Sequence, residues 1–264
     1  MPEILEIEAY RELATRTVGR VVRGVDAPDA WFLKDGLDAE ALTSALVGHR
    51  VDGVRRIGKL LLVDLHGAPT LGLRFGMTGR LIVDGVAAID ALEYGPVREN
   101  TGWDRFRLDF DGDALDRGTL VVSDPRRLGG VLLDPDESRL GVDAMTLTAA
   151  QLAAILERSH APVKAKLMDQ ARVAGLGNLL TDESLWRSGI DPARPEGTIA
   201  PHEIERLAEA IRETLLLLGA RGGSHTGDLQ RERHRGGLCP RDGAPLERRT
   251  VAGRTTYSCP AHQH

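Results

Sequence analysis

Hydrophobic residues make up 42% and charged residues 28% of this 264-residue chain, a balance that excludes an intrinsically disordered protein and suffices for two modest domains. No apolar run reaches membrane-spanning length and no basic-then-apolar signal peptide begins the chain, so we expect a bacterial-type cytoplasmic protein without a membrane partner. The formal net charge of −5 argues, taken alone, against nucleic acid as a partner.

This charge is unevenly distributed along the chain. Residues 221–264 contain eight Arg and no Lys against two Asp and two Glu, a net of +4 that leaves −9 on the preceding 220 residues. A small basic end on an acidic body suits a protein that meets phosphates on one face. A solvated charged tail would have the same composition.

The N-terminal residues predict a helix over 3–19 and carry candidate chemistry. If Met1 is removed, Pro2 begins the mature chain with a secondary amine, which titrates near pH ~8 and can attack an aldehydic carbon. Glu3 and Glu6 could each donate or accept a proton beside that amine. Alternatively, Pro2 simply begins a helix whose first turn carries favourable acidic residues.

Residues 1–134 predict a β-rich N-terminal domain, a sandwich or barrel with few helices. Short apolar runs at 60–65, 80–84, 106–110 and 120–123 are separated by turn residues, and one helix is expected at 39–46. Within 106–110, apolar residues alternate with charged ones, as in a half-buried strand.

Three turns of this domain carry candidate DNA-contacting residues. Lys59 follows Gly58 ahead of an apolar strand and could grip a phosphate, although most lysines are simply exposed. A glycine-bracketed loop presents Met77, and a second turn, Asp-Pro-Arg-Arg-Leu-Gly-Gly, presents Arg126 and Leu128. Apolar side chains inserted between base pairs next to an arginine unstack a duplex. The alternative for Met77 and Leu128 is ordinary packing in the protein core.

Residues 135–146 are predicted to be a linker, and 147–220 a helical domain with helices at 149–157, 164–169, 179–188 and 202–218. The turn Ala-Gly-Leu-Gly-Asn, which ends at Asn178, joins two of these helices. Its glycines permit close backbone approach, and the helix that follows offers free N–H groups to an anion. A bare turn between helices is the alternative.

Residues 221–264 predict a zinc-finger-like β-hairpin between two Cys-centred turns. A disulfide between the two cysteines is an alternative, as is a hairpin held by packing without metal. His234 and His264 lie within reach as substitute ligands for the aspartate, which is uncommon in structural zinc sites. The expected zinc ligands are Cys239, Asp242, Cys259 and His262.

Together these motifs resemble the formamidopyrimidine-DNA glycosylase / endonuclease VIII family of base-excision repair enzymes, in the family's order and over nearly the whole chain. The resemblance implies an α+β multidomain fold, with an N-terminal β-sandwich flanked by helices, a helix–two-turns–helix domain and a zinc-finger hairpin. It also implies that the protein is a monomer associated with the nucleoid. Its implied partner is double-stranded DNA that contains a damaged base or abasic site. The matching elements are Pro2-Glu3, Gly58-Lys59, Gly76-Met-Thr-Gly, Asp124-Pro-Arg-Arg, Leu167-Met-Asp with Gly175-Leu-Gly-Asn178, and the hairpin with Arg254.

By this resemblance, Pro2 is the nucleophile on C1′ of the damaged nucleotide, Glu3 protonates the sugar as its ring opens, and Lys59 assists strand cleavage by elimination on both sides. Glu6 matches the family's second acidic position and is grouped with the DNA-binding residues. The side chains implied to fill the gap left by a flipped base are Met77, Arg126 and Leu128, with Arg126 facing the orphaned base. The implied phosphate contacts are Lys164, Asn178 and Arg254.

The chain also departs from the family pattern. Leu5 stands where proline is frequent, Leu128 where many members carry Phe, and Asp242 and His262 where cysteines are usual. Only sixteen residues separate Gly222 from Cys239, where formamidopyrimidine glycosylases carry a longer segment that caps an oxidised purine. Oxidised pyrimidines, ring-opened purines and bare abasic sites are therefore at least as good candidate substrates as 8-oxoguanine.

The main hypothesis is a bifunctional DNA glycosylase and abasic-site lyase with one structural zinc ion. Two alternatives stay open: a catalytically silent protein that binds damaged DNA, and a glycosylase for bulky alkylated bases. Retention of Met1 would favour the first alternative, because it would leave Pro2 without a free amine. A non-DNA function built on the hairpin and sandwich fits the ordered motifs poorly.

Overall fold

The computed structural model of the chain describes residues 2–89, 92, 95, 100–111, 118–157 and 160–264, which form two compact units. Unit one contains Pro2 and Glu6–Glu137, and unit two contains Glu3–Leu5 and Ser138–His264. The predicted helical and hairpin domains both fall in unit two, and the boundary between them stays a prediction. Met1, whose removal the sequence hypothesis requires, lies outside the described residues.

The first helix, α1 (Ile4–Ala14), carries the chain from unit two into unit one. The predicted helix over 3–19 is therefore shorter, and Thr15–Thr17 continue it as a 3-10 turn. The Thr17 hydroxyl donates to the Ala14 carbonyl at 2.7 Å, which satisfies an acceptor that the ended helix leaves open.

Unit one continues as two antiparallel sheets. Their strands are β1 (Val22–Asp26), β2 (Val51–Ile57), β3 (Leu60–Leu65), β4 (Leu71–Arg74), β5 (Arg80–Val83), β6 (Val86–Ala87), β7 (Asp104–Phe110), β8 (Thr119–Ser123) and β9 (Gly130–Leu133). One sheet has the order β1-β7-β8-β5-β6, and the other has the order β2-β3-β4-β9. Helix α2 (Ala39–Leu46) lies between β1 and β2 in the chain, as predicted.

Both sheets contribute to one apolar cluster, which confirms the predicted sandwich. Along β7, Phe106, Leu108 and Phe110 are buried, whereas Arg107 is exposed, because successive side chains of a strand point to opposite faces. Leucines and valines of β3, β4 and β9 and the apolar stripe of α1 fill the same cluster. Each fully buried side chain of this kind contributes about 1.5–3 kcal/mol.

Unit two is mainly helical, with a C-terminal hairpin. The predicted linker contains a short strand, β10 (Val142–Asp143), which pairs in parallel with β11 (Val173–Ala174). Part of the linker is therefore ordered by long-range pairing. None of the helices in the described part of the chain is both long and apolar enough to span a membrane. The elements are β10 (Val142–Asp143), α3 (Ala149–Ile155), α4 (Val163–Met168), β11 (Val173–Ala174), α5 (Asn178–Ser188), α6 (Pro201–Ala220), β12 (Glu247–Val251) and β13 (Arg254–Ser258).

Local chemistry explains where these helices begin and end. Thr148 and Gln151 form a capping box at the start of α3, and Pro201 occupies the first turn of α6. Helix α5 ends at Gly189, whose φ of 70° is in the left-handed region. Ile4 and Leu5 pack into the apolar cluster of unit two, so the N-terminal residues form part of its core.

Candidate functional site

Glu3 is held at the N-terminus of α5 within unit two. Its carboxylate accepts hydrogen bonds from the backbone N–H groups of Gly177 (2.7 Å), Leu179 (2.9 Å) and Leu180 (3.2 Å). The first N–H groups of a helix have no partners within the helix, and they attract negative charge. In this structure the chain's own Glu3 carboxylate occupies these N–H groups, and a phosphate contact at the Ala-Gly-Leu-Gly-Asn turn stays a prediction.

The two glycines of this turn make room for the N-terminal residues. A Cβ on Gly177 would lie 2.7 Å from Glu3 Cγ, and a Cβ on Gly175 would lie 2.9 Å from Ile4 Cβ. The Ile4 N–H donates to the Gly175 carbonyl at 3.1 Å. Because Glu3 is fully buried and fixed from several sides, its carboxylate has a single defined position immediately after Pro2.

The remaining predicted residues of the N-terminal site lie in unit one. Pro2 and Glu6 are both buried, and Glu6 lies in the first turn of α1. Lys59 is half-buried in the two-residue turn that joins β2 and β3, so the apolar strand predicted after it is confirmed. The roles of Pro2, Glu6 and Lys59 in catalysis and DNA binding stay predictions.

Loop 124–130 is organised by the buried carboxylate of Asp124. Its Oδ1 accepts from the Thr78 hydroxyl at 2.6 Å, and its Oδ2 accepts from the N–H groups of Leu128 and Gly129, each at 2.9 Å. With its backbone tied down in this way, the loop exposes 52% of Leu128, and Arg126 beside it is also exposed. The structure thus excludes core packing for Leu128.

Loop 76–79 lies directly against loop 124–130. Gly76 adopts a φ of 55°, and a Cβ there would approach the Leu128 carbonyl carbon to 2.5 Å. The Thr78 bond to Asp124 joins the same two loops, and Met77 between them is half-buried. Two segments that are far apart in sequence therefore form one surface that presents Met77, Arg126 and Leu128, the residues predicted to replace a flipped base.

Lys164 is completely buried in a polar network of unit two. Its ammonium donates to Asp182 Oδ1 at 2.6 Å and to the Thr256 hydroxyl at 2.7 Å, and Asp182 also pairs with Arg233. Burial lowers the pKa of Lys164, while the Asp182 carboxylate opposes that shift. The phosphate contact predicted for Lys164 stays a prediction, and the contacts that the structure gives its ammonium are internal ones.

Asn178 and Arg254 approach the same part of the hairpin. The Asn178 side-chain amide donates to the Thr255 carbonyl at 3.1 Å, and Arg254 begins β13 with an exposed side chain. Thr256 donates to the Arg254 carbonyl at 3.0 Å, so the network around Lys164 extends to the backbone of this arginine. The structure therefore brings the α5 N-terminus and the hairpin arginine together through main-chain contacts.

The four predicted metal ligands converge on one point. One donor atom from each of Cys239, Asp242, Cys259 and His262 lies within 4.8 Å of all the others. Cys259 Sγ is 3.3 Å from Asp242 Oδ2, and His262 Nδ1 is 3.8 Å from Cys239 Sγ. Both cysteines are free thiols, which excludes the alternative of a disulfide between them. The group can hold a metal ion.

The surroundings of this cluster orient its donors toward its centre. His262 Nε2 is 3.2 Å from the Trp186 carbonyl and its Nδ1 is 2.6 Å from Asp242 Oδ2, so the ring presents Nδ1 to the cluster. The Trp186 indole N–H donates to Cys239 Sγ at 3.3 Å. Burial raises the pKa of Cys259 to about 11, and the backbone N–H of Ala244 holds the pKa of Asp242 well below its usual range.

The two histidines considered as substitute ligands point elsewhere. His234 Nδ1 is 3.2 Å from the Arg235 carbonyl and its Nε2 is 3.7 Å from Glu232, whereas His264 is exposed at the C-terminus. The geometry therefore favours Asp242 over both of them as the fourth ligand.

Sequence reasoning missed three residues that position this machinery. Asp124 organises the Leu128 loop, Asp182 neutralises Lys164, and Trp186 contacts two metal-ligand candidates. The Asp-Pro dipeptide at 124–125 was an available signal, because Asp side chains accept from backbone N–H groups in turns. The other two partnerships depend on tertiary packing and leave no local pattern.

Comparisons with known proteins agree with this architecture. Residues 1–131 match the profile of the formamidopyrimidine-DNA glycosylase N-terminal domain, and residues 140–227 match that of its H2TH domain. The formamidopyrimidine-DNA glycosylase of Chloroflexus aurantiacus is 30% identical over 286 residues, covering 100% of this chain and 98% of the relative. That of Gluconobacter oxydans is 36% identical over 248 residues, covering 84% and 85% of the two chains.

Solved structures of the Lactococcus lactis Fpg protein superpose on the whole chain. A complex with abasic-site DNA gives a TM-score of 0.80 at 25% identity, and a complex with DNA containing N7-benzyl-Fapy-dG gives 0.81 at 26%, each covering 100% of both chains. With both profiles matched, and with relatives above 30% identity aligned over nearly their full length, the chain belongs to the formamidopyrimidine-DNA glycosylase family.

Proposed function

We propose that this protein is a bifunctional DNA glycosylase that excises a damaged base and then cleaves the abasic strand. The observation that carries the proposal is the position of Glu3, which is buried and held by three backbone N–H groups directly after Pro2. A fixed acid beside an N-terminal amine supplies both the proton donor and the nucleophile that opening a sugar requires. Family membership, and relatives named as formamidopyrimidine-DNA glycosylases, support the glycosylase part of this assignment.

Base excision begins once Met1 has been removed. The lone pair of the Pro2 nitrogen forms a bond to C1′ of the damaged nucleotide, and the glycosidic bond breaks with its electron pair leaving on the base. The Glu3 carboxylate accepts the amine proton, and cleavage of the C1′–O4′ bond then gives a cationic imine. Glu3 gives this proton to O4′, which becomes a neutral hydroxyl as the ring opens.

Strand cleavage follows because the imine accepts electrons. Loss of a proton from C2′ expels the 3′ phosphate, and loss of a proton from C4′ then expels the 5′ phosphate. Lys59 stabilises the charge of a departing phosphate and assists both eliminations. Water finally hydrolyses the imine and regenerates Pro2.

Further residues are proposed to contact the DNA. Met77, Arg126 and Leu128 occupy the space of the flipped base, and Asn178 and Arg254 bind phosphates around the extruded nucleotide. Exposure of Arg126, Leu128 and Arg254 supports these roles. Glu6 and Lys164 complete the proposed set, with Lys164 acting through its contacts to Asp182 and Thr256.

A single zinc ion is proposed to hold the hairpin. Two thiolates, an imidazole nitrogen and a carboxylate form a four-donor set that zinc accepts, and the Trp186 carbonyl fixes the imidazole orientation that binding requires. Cys239, Asp242, Cys259 and His262 would hold the ion, which supplies structural stability and no reaction step.

Borohydride trapping on DNA with an abasic site tests the proposal. Reduction of the imine should leave wild type covalently attached to the DNA, whereas Pro2→Gly should form much less adduct while still binding the duplex. Intact mass measured on the same preparation should show loss of Met1. A wild type that binds damaged duplex but forms no adduct would contradict the mechanism and support a silent damage-binding protein.

Bulky ring-opened or alkylated purines are a second substrate class that one observation favours. The short segment that follows α6 is drawn back onto α5, because Asp228 pairs with Arg187 at 2.6 Å and with Arg221 at 2.7 Å. Glu183 also accepts from the N–H groups of Asp228 (3.1 Å) and Leu229 (3.0 Å). A segment held in this way is not free to cover a flipped base, which favours substrates that need no cap.

Single-turnover excision from three matched duplexes separates these substrate classes. The duplexes carry an oxidised pyrimidine, 8-oxoguanine or an N7-benzyl ring-opened guanine. We expect 8-oxoguanine to be the slowest of the three, because the short segment provides little surface to cap it. If excision of 8-oxoguanine is the fastest, the short segment does not limit specificity.

A further inference from the structure

Trp31 is the most exposed large apolar side chain among the described residues, with 68% of its surface accessible. It lies in a 3-10 turn (Ala30–Phe32) between β1 and α2. A single exposed apolar residue needs no explanation by itself. The way this turn is fixed, and the loop to which it is fixed, give the indole its significance.

The turn is held rigidly although its indole is exposed. Asp29 accepts the Trp31 N–H at 3.2 Å, and the Lys34 ammonium donates to the Trp31 carbonyl at 2.7 Å. The same ammonium lies 5.4 Å from the centre of the indole ring, within cation–π range. Phe32 and Leu33 are buried beneath the turn. The indole is therefore presented to a partner with little conformational freedom left to lose.

The turn is also joined to loop 124–130, which presents Leu128. Asp29 accepts two hydrogen bonds from the Arg127 guanidinium, each of 2.6 Å, and this pairing lowers the pKa of Asp29. The Phe32 ring lies under Gly129, where an added Cβ would be 3.0 Å from Phe32 Cζ. The turn and the loop therefore form one rigid surface of unit one.

The exposed charge on this surface is mainly positive. Arg126 and Arg127 are exposed, and Lys34 is half-buried beside the indole. Among the acidic residues, Asp29 pairs with Arg127, and the buried Asp124 accepts from backbone N–H groups of its own loop. Asp35, which follows Lys34 in the chain, is exposed and lowers the positive charge by one. An aromatic face surrounded by cations is the surface that binds a nucleotide, by stacking and by phosphate attraction.

We propose that Trp31 is a further DNA-contacting residue, which packs its indole on a nucleotide next to the one that Leu128 displaces. Leucine fills a gap but cannot stack on a base, and the indole supplies the missing aromatic contact from the same rigid surface. This assignment rests on the proposed function only in requiring that loop 124–130 meets duplex DNA.

Equilibrium binding to a duplex with a non-cleavable tetrahydrofuran abasic analogue tests the proposal. Trp31→Ala should weaken binding about 10-fold, and Trp31→Phe should restore most of the loss, because loss of one aromatic contact to a base costs about 1–3 kcal/mol. Leu216→Ala, which alters a 63% exposed apolar residue on α6, is the matched control and should bind like wild type. Wild-type affinity in Trp31→Ala would overturn the proposal.

Quenching by iodide provides a readout in unmutated protein. The accessible Trp31 indole should be quenched in free wild type and protected when the duplex binds, and Trp31→Phe should lose this protectable fraction.

Borohydride trapping separates the Trp31 assignment from the proposed lyase mechanism. A protein that shows the Trp31 effect but traps no DNA loses the lyase mechanism alone, whereas one that traps DNA without the Trp31 effect loses this assignment alone. Wild type that binds no duplex overturns both.

Discussion

Gly76 positions the Leu128 loop by lacking a side chain. Its φ of 55° favours glycine, and any Cβ would meet the Leu128 carbonyl carbon at 2.5 Å and the Gly129 nitrogen at 2.7 Å. Two effects are therefore combined at this position, namely backbone strain and a clash with a neighbouring backbone that is itself held by Asp124.

Substitution of Gly76 by Ala should reduce both stability and DNA affinity. The left-handed backbone alone costs about 1–2 kcal/mol, and the clash adds a displacement of Leu128. Gly67→Ala is the control, because Gly67 has a φ of 66° but an added Cβ there would have no other atom within 4 Å. Urea unfolding and duplex affinity should separate the two variants. Equal affinity losses would show that the contact with Leu128 is unimportant.

Gly177 keeps the Glu3 carboxylate in place, and its substitution tests the proposed acid without altering the acid itself. The backbone at Gly177 has a φ of −118°, so Ala is unstrained there, but its Cβ would lie 2.7 Å from Glu3 Cγ. We expect about a 10²-fold slower formation of the trapped adduct in Gly177→Ala, because general acid catalysis commonly contributes that much.

Two further variants calibrate the Gly177→Ala result. Gly53→Ala, in β2, places a methyl group where nothing lies within 4 Å and should react like wild type. Glu3→Gln should resemble Gly177→Ala in rate. If Gly177→Ala reacts at the wild-type rate while Glu3→Gln is slow, the carboxylate has moved without consequence and its fixed position is not required.

Among the elements, the C-terminal hairpin depends on α4 and α5 through Lys164. The ammonium bridges Asp182 of α5 and Thr256 of β13, and it has no solvent contact. Asp182 retains Arg233 when the lysine is removed, so the aspartate would stay paired. The Thr256 hydroxyl, which donates to the Arg254 carbonyl, would lose its lysine partner.

Lys164→Met should destabilise unit two by less than the ~3–5 kcal/mol typical of a broken buried pair, because Arg233 keeps Asp182 paired. It should also weaken DNA binding by shifting Arg254, yet leave the salt dependence of binding unchanged. A residue that touches phosphate reduces the slope of log K against log salt by about one when it is removed, and Arg254→Ala should show that reduction. A further reduction of the slope when Lys164→Met is added to Arg254→Ala would instead establish a direct phosphate contact of Lys164.

The elements differ in how far sequence could predict them. Helix α2 was predicted near its observed bounds, and the structure shows that Asp38 caps it, with the Asp38 side chain accepting the Ala41 N–H at 2.7 Å. The two-residue strands β10 and β11 carry no periodicity, because their pairing is long-range. Likewise, the helix predicted over 3–19 ends at Ala14, whose carbonyl accepts the Thr17 hydroxyl. The spacing of apolar residues in this segment does not reveal that hydrogen bond.

For the whole molecule, the two units have separate apolar clusters, so each should respond to its own perturbations. The sandwich cluster is built from unit one, whereas Trp186, Leu229, Cys239 and Cys259 form a small cluster in unit two beside the four metal donors. A cluster of that size contributes little stability alone, so the hairpin should depend on its metal. Trp186, whose indole N–H donates to Cys239 Sγ, is a built-in reporter of this site.

Chelation should therefore change Trp186 emission and lower the melting temperature of unit two, while the sandwich melts as before. Native mass spectrometry should find one zinc ion in wild type and less than one in Asp242→Asn, because loss of a ligand weakens a site that already has only two thiolates. His234→Ala should keep full occupancy, since His234 faces Glu232 and the Arg235 carbonyl. Unchanged emission and melting after chelation would instead show that packing alone holds the hairpin, and full zinc occupancy in Asp242→Asn would exclude the aspartate as a ligand.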